Sequence, residues 1–324
     1  MTERARPPAV LVGIDTEADD QWSAGGRQRL EVRNAERLPA LQALFEGCGA
    51  RPTYVVTYEM ATREESAPVL REIARSGRAE IGTHLHPWSS PPFRPEDLVA
   101  HTYPHNLPPE ILERQLTELT TVIQESLGVR PTTYRAGRNG FDGRTLPVLE
   151  GLGYTVDTSV DPLFNERRKR GMGFAGAPLE PYHPDYADVT RPGSSPILEV
   201  PITAATLPWL PKPIESLYAR LPPIPYRGAL KRLGLRPVWL RPSYTPLPDM
   251  LAFASRLEAR GASCFNVIFH SSEILPGGSP YTPDERSVGR FLDDLRRLLE
   301  HLTGPLGGVP QTCAEFARGW AATA

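Results

Sequence analysis

The feature that most constrains this chain is an alternation of short apolar runs with stretches of helical periodicity. Residues 9–14 (AVLVGI) read as a buried strand, and 53–57 (TYVVT), 79–83, 132–135, 154–157, 197–200 and 264–269 as further strands. Between them the spacing predicts helices over 34–48, 63–76, 108–127, 142–150, 247–260 and 284–302, with a last short strand and helix from Val309 onward. The clearest is 108–127, where Ile111, Leu112, Leu116, Leu119 and Ile123 keep a helical period that Gly128 closes. Strands that alternate with helices pair in parallel and build βαβ units. About seven such units predict an α/β fold, a deformed (β/α) barrel in a single domain over 1–324.

Composition narrows the function classes. The 324 residues carry 36 Lys+Arg against 38 Asp+Glu, a net charge of −2, so the basic excess of a nucleic-acid binder is missing. No apolar run approaches the ~20 residues of a membrane span. The run at 9–14 ends at Asp15 and is too short for a signal peptide. Cys48, Cys264 and Cys313 form no CxxC pair and fit buried thiols in a reducing compartment, so a cytoplasmic location is expected. The 36 prolines cluster at 87–109, 178–201 and 208–248 and predict long ordered loops. Residues 205–248 break the alternation and read as a Pro-rich insertion or lid. Trp209, Leu210, Leu217, Tyr218, Tyr226, Lys231, Arg232 and Trp239 suit a satellite core there, or peripheral contact with a lipid or glycan surface.

In parallel α/β folds, chemistry gathers at the carboxyl ends of strands. Ionisable groups follow one predicted strand after another here. Asp15, Glu17, Asp19 and Asp20 follow the first, and His84 and His86 the third. Arg135, Arg138 and Asn139 come next, then Asp157 and Asp161, and finally His270, Ser271, Ser272 and Glu273. Asp15 and Glu17 are two apart, so in extended chain they face the same way, as do His84 and His86. Imidazoles with a carboxylate make a divalent-metal site that leaves positions for water and substrate.

The ordered motifs resemble the polysaccharide deacetylase (NodB-homology, carbohydrate esterase 4-like) superfamily, with a flavour of its WalW-like branch. GIDTEAD at 13–19 resembles the first motif, and RPTYVVT at 51–57 a following strand. EIGTHLHPW at 80–88 resembles the second motif and YRAGRNGFD at 134–142 the third. GYTVDTSVDP at 153–162 stands where the fourth falls, and NVIFHSSEILPG at 266–277 resembles the last. The resemblance implies a NodB-type barrel and hydrolysis of an N-acyl, first of all N-acetyl, group on an amino sugar, glycan or glycan precursor. It implies Asp15 as catalytic base, Glu17, His84 and His86 as metal ligands, Arg135 as the holder of the base, and His270 as the acid for the leaving amine. Asp157 or Asp161 would tune that histidine. Trp88, Arg138, Asn139 and Asp157 are the expected substrate contacts. One divalent ion is implied, zinc first, with cobalt, nickel, iron or manganese as alternatives.

The chain departs from the family pattern in three places. Its acidic pair is DTE, its histidines stand at i, i+2, and Ala-Gly follows Arg135. The DTE spacing leaves open the reverse assignment, Asp15 as ligand and Glu17 as base. His101 and His105 are alternative ligands or substrate contacts, and Glu59 and His183 are further pocket candidates, whereas His301 sits on a predicted amphipathic helix. No G-x-S-x-G elbow surrounds Ser271 or Ser272. Two rival functions remain: a metal-independent amidohydrolase acting on a small cyclic amide, and a non-catalytic carbohydrate-binding protein.

Overall fold

The computed structural model describes residues 6–92, 102–207 and 235–322, together with Ile214, Leu217 and Tyr218. Its strands are β1 (Ala9–Thr16), β2 (Pro52–Val56), β3 (Glu80–Leu85), β4 (Thr133–Ala136), β5 (Val156–Asp157), β6 (Leu198–Glu199), β7 (Ala204–Leu207), β8 (Arg236–Trp239), β9 (Cys264–His270) and β10 (Val309–Pro310). The main sheet runs β9–β1–β2–β3–β4–β5–β6 with every neighbour parallel, and the short β10 joins the start of β1. These seven strands with flanking helices are the deformed barrel that the alternation predicted. Every residue of β1 is buried, as expected of a parallel strand covered on both faces.

The helices fall where periodicity placed them. Pro109–Leu127 buries Leu112, Leu116, Leu119, Ile123 and Leu127, and Gly128 ends it at φ 75°. Glu285–Thr303 begins at Asp284, whose carboxylate accepts from the Ser287 amide at 2.7 Å. Its buried face, Val288, Phe291, Leu295, Leu298, Leu299 and Leu302, covers the sheet.

Irregular backbone closes the barrel between β6 and β9. The Asn266 amide nitrogen donates to the carbonyls of Val200 (3.0 Å) and Pro201 (3.2 Å), and the Thr203 amide reaches the Asn266 carbonyl at 3.3 Å. A buried side-chain amide thus satisfies backbone acceptors that a regular ladder would have paired. The antiparallel pair β7–β8 belongs to the insertion, and it docks through Leu240, whose amide donates to Thr203 O and whose carbonyl accepts from Ile268. The expectations for Trp209, Leu210, Tyr226, Lys231 and Arg232 fall outside the described residues. Of the others named there, Tyr218 is buried, Trp239 half-buried and Leu217 exposed. All three cysteines are free. Among the described residues, no helix is long and apolar enough to cross a membrane.

Candidate metal centre and active site

Strand register assembles the centre. Asp15 lies level with His270 across β1–β9, and His84 level with Arg135 across β3–β4. Thr16, Val56 and Thr83 form one continuous rung, so Glu17 and His84 follow it one residue on. The two-residue spacings therefore have a geometric result: both members of each pair turn to the same face, at the mouth of the barrel. Glu17 stands just past β1, and its backbone is fixed there by the Ser271 hydroxyl (3.2 Å from its amide) and the Asn34 amide (2.9 Å from its carbonyl).

Donor atoms of Glu17, His84 and His86 lie within 4.8 Å of one another, and all three residues are buried. Glu17 Oε2 is 2.7 Å from His86 Nε2 and 3.8 Å from His84 Nε2. The Nδ1 of His84 lies 2.9 Å from the Arg135 carbonyl, which can only accept. The proton is therefore on Nδ1, and Nε2 keeps its lone pair toward Glu17. Burial lowers His84 to about 4 and His86 to about 3, so both are neutral near pH 7, the state a ligand needs. Burial, together with the Asp15 charge, raises the Glu17 carboxyl against the pull of His270, His84 and Arg241. Two neutral imidazoles and one carboxylate make a donor set that fits a divalent ion.

Asp15 is beside this triad. Arg135, 1 % exposed, donates to its Oδ1 at 2.6 Å and is itself held by the Thr158 carbonyl and hydroxyl. Burial alone would raise the Asp15 carboxyl, but Arg135, His84 and His270 outweigh it and hold it well below the ordinary carboxylate range. Gly13 makes room for this ion pair: a Cβ there would lie 2.3 Å from the Arg135 guanidinium.

His270 turns Nε2 toward Asp15 (3.5 Å) and Glu17 (3.8 Å). Its Nδ1 meets Glu273 at 3.1 Å and Arg241 at 2.9 Å. Burial and Arg241 weigh against its charge, yet Glu17, Glu273 and Asp15 carry it above the usual histidine value. Neither Asp157 nor Asp161 holds this ring. Asp157 is fully buried level with Glu199 across β5–β6, and its oxygens accept from the Ser159 amide and hydroxyl. That corrects its expected substrate role: its carboxyl is enclosed in the wall and does not line the cavity. Asp161 does reach the cavity and accepts from Trp239 Nε1 at 2.9 Å.

These groups open into a cavity of about 420 Å³ that also reaches Trp88, Arg138 and Asn139. Trp88 packs on His86 with centroids 4.1 Å apart and donates to Gln21, so one face of its ring is occupied by the centre. Asn139 donates to the Ser159 carbonyl. Glu59 stands off the cavity and accepts from the Ala18 amide and Thr57 hydroxyl. His105 and His183 bond backbone carbonyls, and His301 meets Ser255. His101 lies outside the described residues.

Sequence reading missed Arg241, Trp22, Arg27 and Tyr244, all on the cavity wall. Arg241 had a readable signal: VWLR at 238–241 is an apolar run ending in an ionisable group, the pattern that marked the other site residues. The insertion's composition hid it.

No family model matches the chain, and no curated protein matches it. Solved structures do. A candidate polysaccharide deacetylase from Mycobacterium smegmatis superposes with a TM-score of 0.57 at 14 % identity, over 99 % of this chain and 95 % of that one. A candidate glycoside hydrolase/deacetylase from Parabacteroides distasonis gives 0.59 at 17 % identity, over 98 % and 72 %. An allantoinase gives 0.54 at 14 % identity, over 98 % and 90 %. At these identities the likeness is one of fold, and it does not single out a WalW-like branch. The chain shares its fold with these deacetylase and allantoinase structures.

Proposed function

We propose that this protein is a metal-dependent hydrolase that removes an N-acyl group, acetyl first, from an amino sugar, glycan or glycan-precursor intermediate. The observation that carries the reading is the convergence of Glu17, His84 and His86 beside the Asp15–His270 pair. The donor set favours Glu17 as the carboxylate ligand and leaves Asp15 free for proton transfer. An ion held there, zinc by preference, would supply Lewis acidity, polarising the acyl carbonyl and making a water acidic enough for a weakly basic carboxylate to deprotonate.

The chain's own residues do the rest. Arg135 keeps Asp15 ionised and fixes its orientation, so that the free oxygen, Oδ2, accepts the proton. His270, pushed above its ordinary value, holds a proton on Nε2 for the departing nitrogen. Glu273 accepts from the Nδ1 side of its ring, and Arg241, paired with Glu273, keeps that carboxylate in place. An amide needs such an acid because its nitrogen leaves poorly as an anion, and this supports N-acyl over O-acyl substrates.

The test is the metal content of tag-free protein by elemental mass spectrometry, beside His84→Ala/His86→Ala, with acetate release from N-acetylated sugars measured in parallel. About one equivalent of metal, lost in the variant together with turnover, is expected. Metal-free wild type after reconstitution, with chelator-insensitive turnover, would replace this reading by the metal-independent amidohydrolase.

A further inference from the structure

Charge around the cavity is not balanced on every side. Five cations line it, and three are matched: Arg135 by Asp15, Lys169 by Glu166 at 3.0 Å, and Arg241 by Glu273. Arg27 and Arg138 have no carboxylate within ion-pair distance among the described residues. Arg27 donates to the Gln21 carbonyl at 3.2 Å and stands 5.8 Å from the centre of the Trp88 ring. Arg138 donates to the Tyr103 hydroxyl at 2.8 Å and lies 4.0 Å over that ring. Each guanidinium has five N–H donors, and among the described residues each gives one of them to a neighbour, Gln21 or Tyr103.

Arg138 reaches this position in strained backbone. It has φ 53° and Asn139 has φ 54°, both in the left-handed region. For a residue with a side chain that conformation is unfavourable, and strain of this kind gathers at functional sites. Burial, and after it the nearby Arg27 charge, lower Arg138 from its usual value, against the pull of Tyr103 and Glu166, so two like charges share one wall. That wall adjoins the metal centre. Trp88, beneath Arg27, stacks on His86, and Gly137, just before Arg138, packs so closely that a Cβ would lie 2.4 Å from His86 Nδ1.

We infer that the saccharide substrate carries an anionic substituent, a phosphate or a carboxylate, which Arg27 and Arg138 receive on the His86 side of the reacting amide. This deepens the N-acyl hydrolase reading and rests on it. Guanidinium forks match both anions through paired N–H donors, and a half-buried wall screens the attraction less than open solvent does. A neutral sugar would leave both guanidiniums without an ion-pair partner among the described residues.

The test measures binding, by calorimetry on the full chain, of N-acetylglucosamine, N-acetylglucosamine 1-phosphate and N-acetylglucosaminuronic acid. One of the anionic sugars is expected to bind about tenfold tighter than the neutral one, the factor of one charge-assisted hydrogen-bond pair. Arg27→Gln and Arg138→Gln should each reduce that preference, and Arg27→Lys should restore part of it. Arg27→Gln keeps the test open if Arg138→Gln fails to fold. Preference for the phosphate assigns a phosphorylated substrate, and preference for the uronate a carboxylated one. No preference for either anionic sugar, including no measurable binding of any probe, overturns the inference, as does a preference that survives both Gln variants. Anion-selective binding without acyl release from any sugar would sink the hydrolase reading and keep the anion subsite. Acyl release with no anionic preference would do the reverse.

Discussion

Replacing Arg135 with methionine isolates the electrostatics of the site. The side chain is 1 % exposed, and its guanidinium is the cation 2.6 Å from the buried Asp15 carboxylate. Methionine fills a similar apolar volume, so the main change is a charge left without its partner. Removing one member of a buried pair costs about 3–5 kcal/mol. The pH dependence gives a second readout. In the wild type the folded Asp15 value is depressed, so its contribution is fully present above the unfolded value near ~3.9 and fades as pH falls through the folded one. Without Arg135, burial pushes the folded value up, and stability then falls as pH climbs past the unfolded value. The deficit measured by urea unfolding is therefore expected to be larger at pH 7.5 than at pH 5. Asp15→Asn in the same background removes the stranded charge and is expected to recover much of the loss. A deficit under about 1 kcal/mol, or a double variant no more stable than Arg135→Met, would refute the reasoning.

Other perturbations follow from the same geometry. Gly13→Ala places a methyl group where the Arg135 guanidinium lies, so a loss of about 1–3 kcal/mol is expected in thermal unfolding, with lower hydrolytic activity as the ion pair is displaced. Glu199 is raised well above its usual value by burial and then by the Asp157 charge, so it costs stability as pH rises past the unfolded carboxyl value. Glu199→Gln should raise the melting temperature at pH 8 and change it little at pH 4, and a lower melting temperature at pH 8 would contradict this. Trp239→Phe removes the N–H that Asp161 accepts while keeping an aromatic ring, and about 1–3 kcal/mol of destabilisation is expected in urea titration.

Much of this architecture was legible because its signals are local. Apolar runs gave the strands, a 3.6-residue period gave helices such as Pro109–Leu127, and the i, i+2 spacings put Asp15 with Glu17 and His84 with His86 on common faces. Those features are dictated by backbone geometry over a few residues, so the sequence determines them by itself. The partners of each group were decided only in three dimensions. His270 meets Glu273, itself paired with Arg241 of the insertion, whereas Asp157 lies level with Glu199 and accepts from Ser159. Arg27 meets Trp88, and Arg135 meets Asp15, across separations that no periodicity spans. A pattern of apolar and polar residues records which face of an element is buried. Which charge faces which depends on strand order, on register and on where the barrel closes, and those are properties of the whole fold.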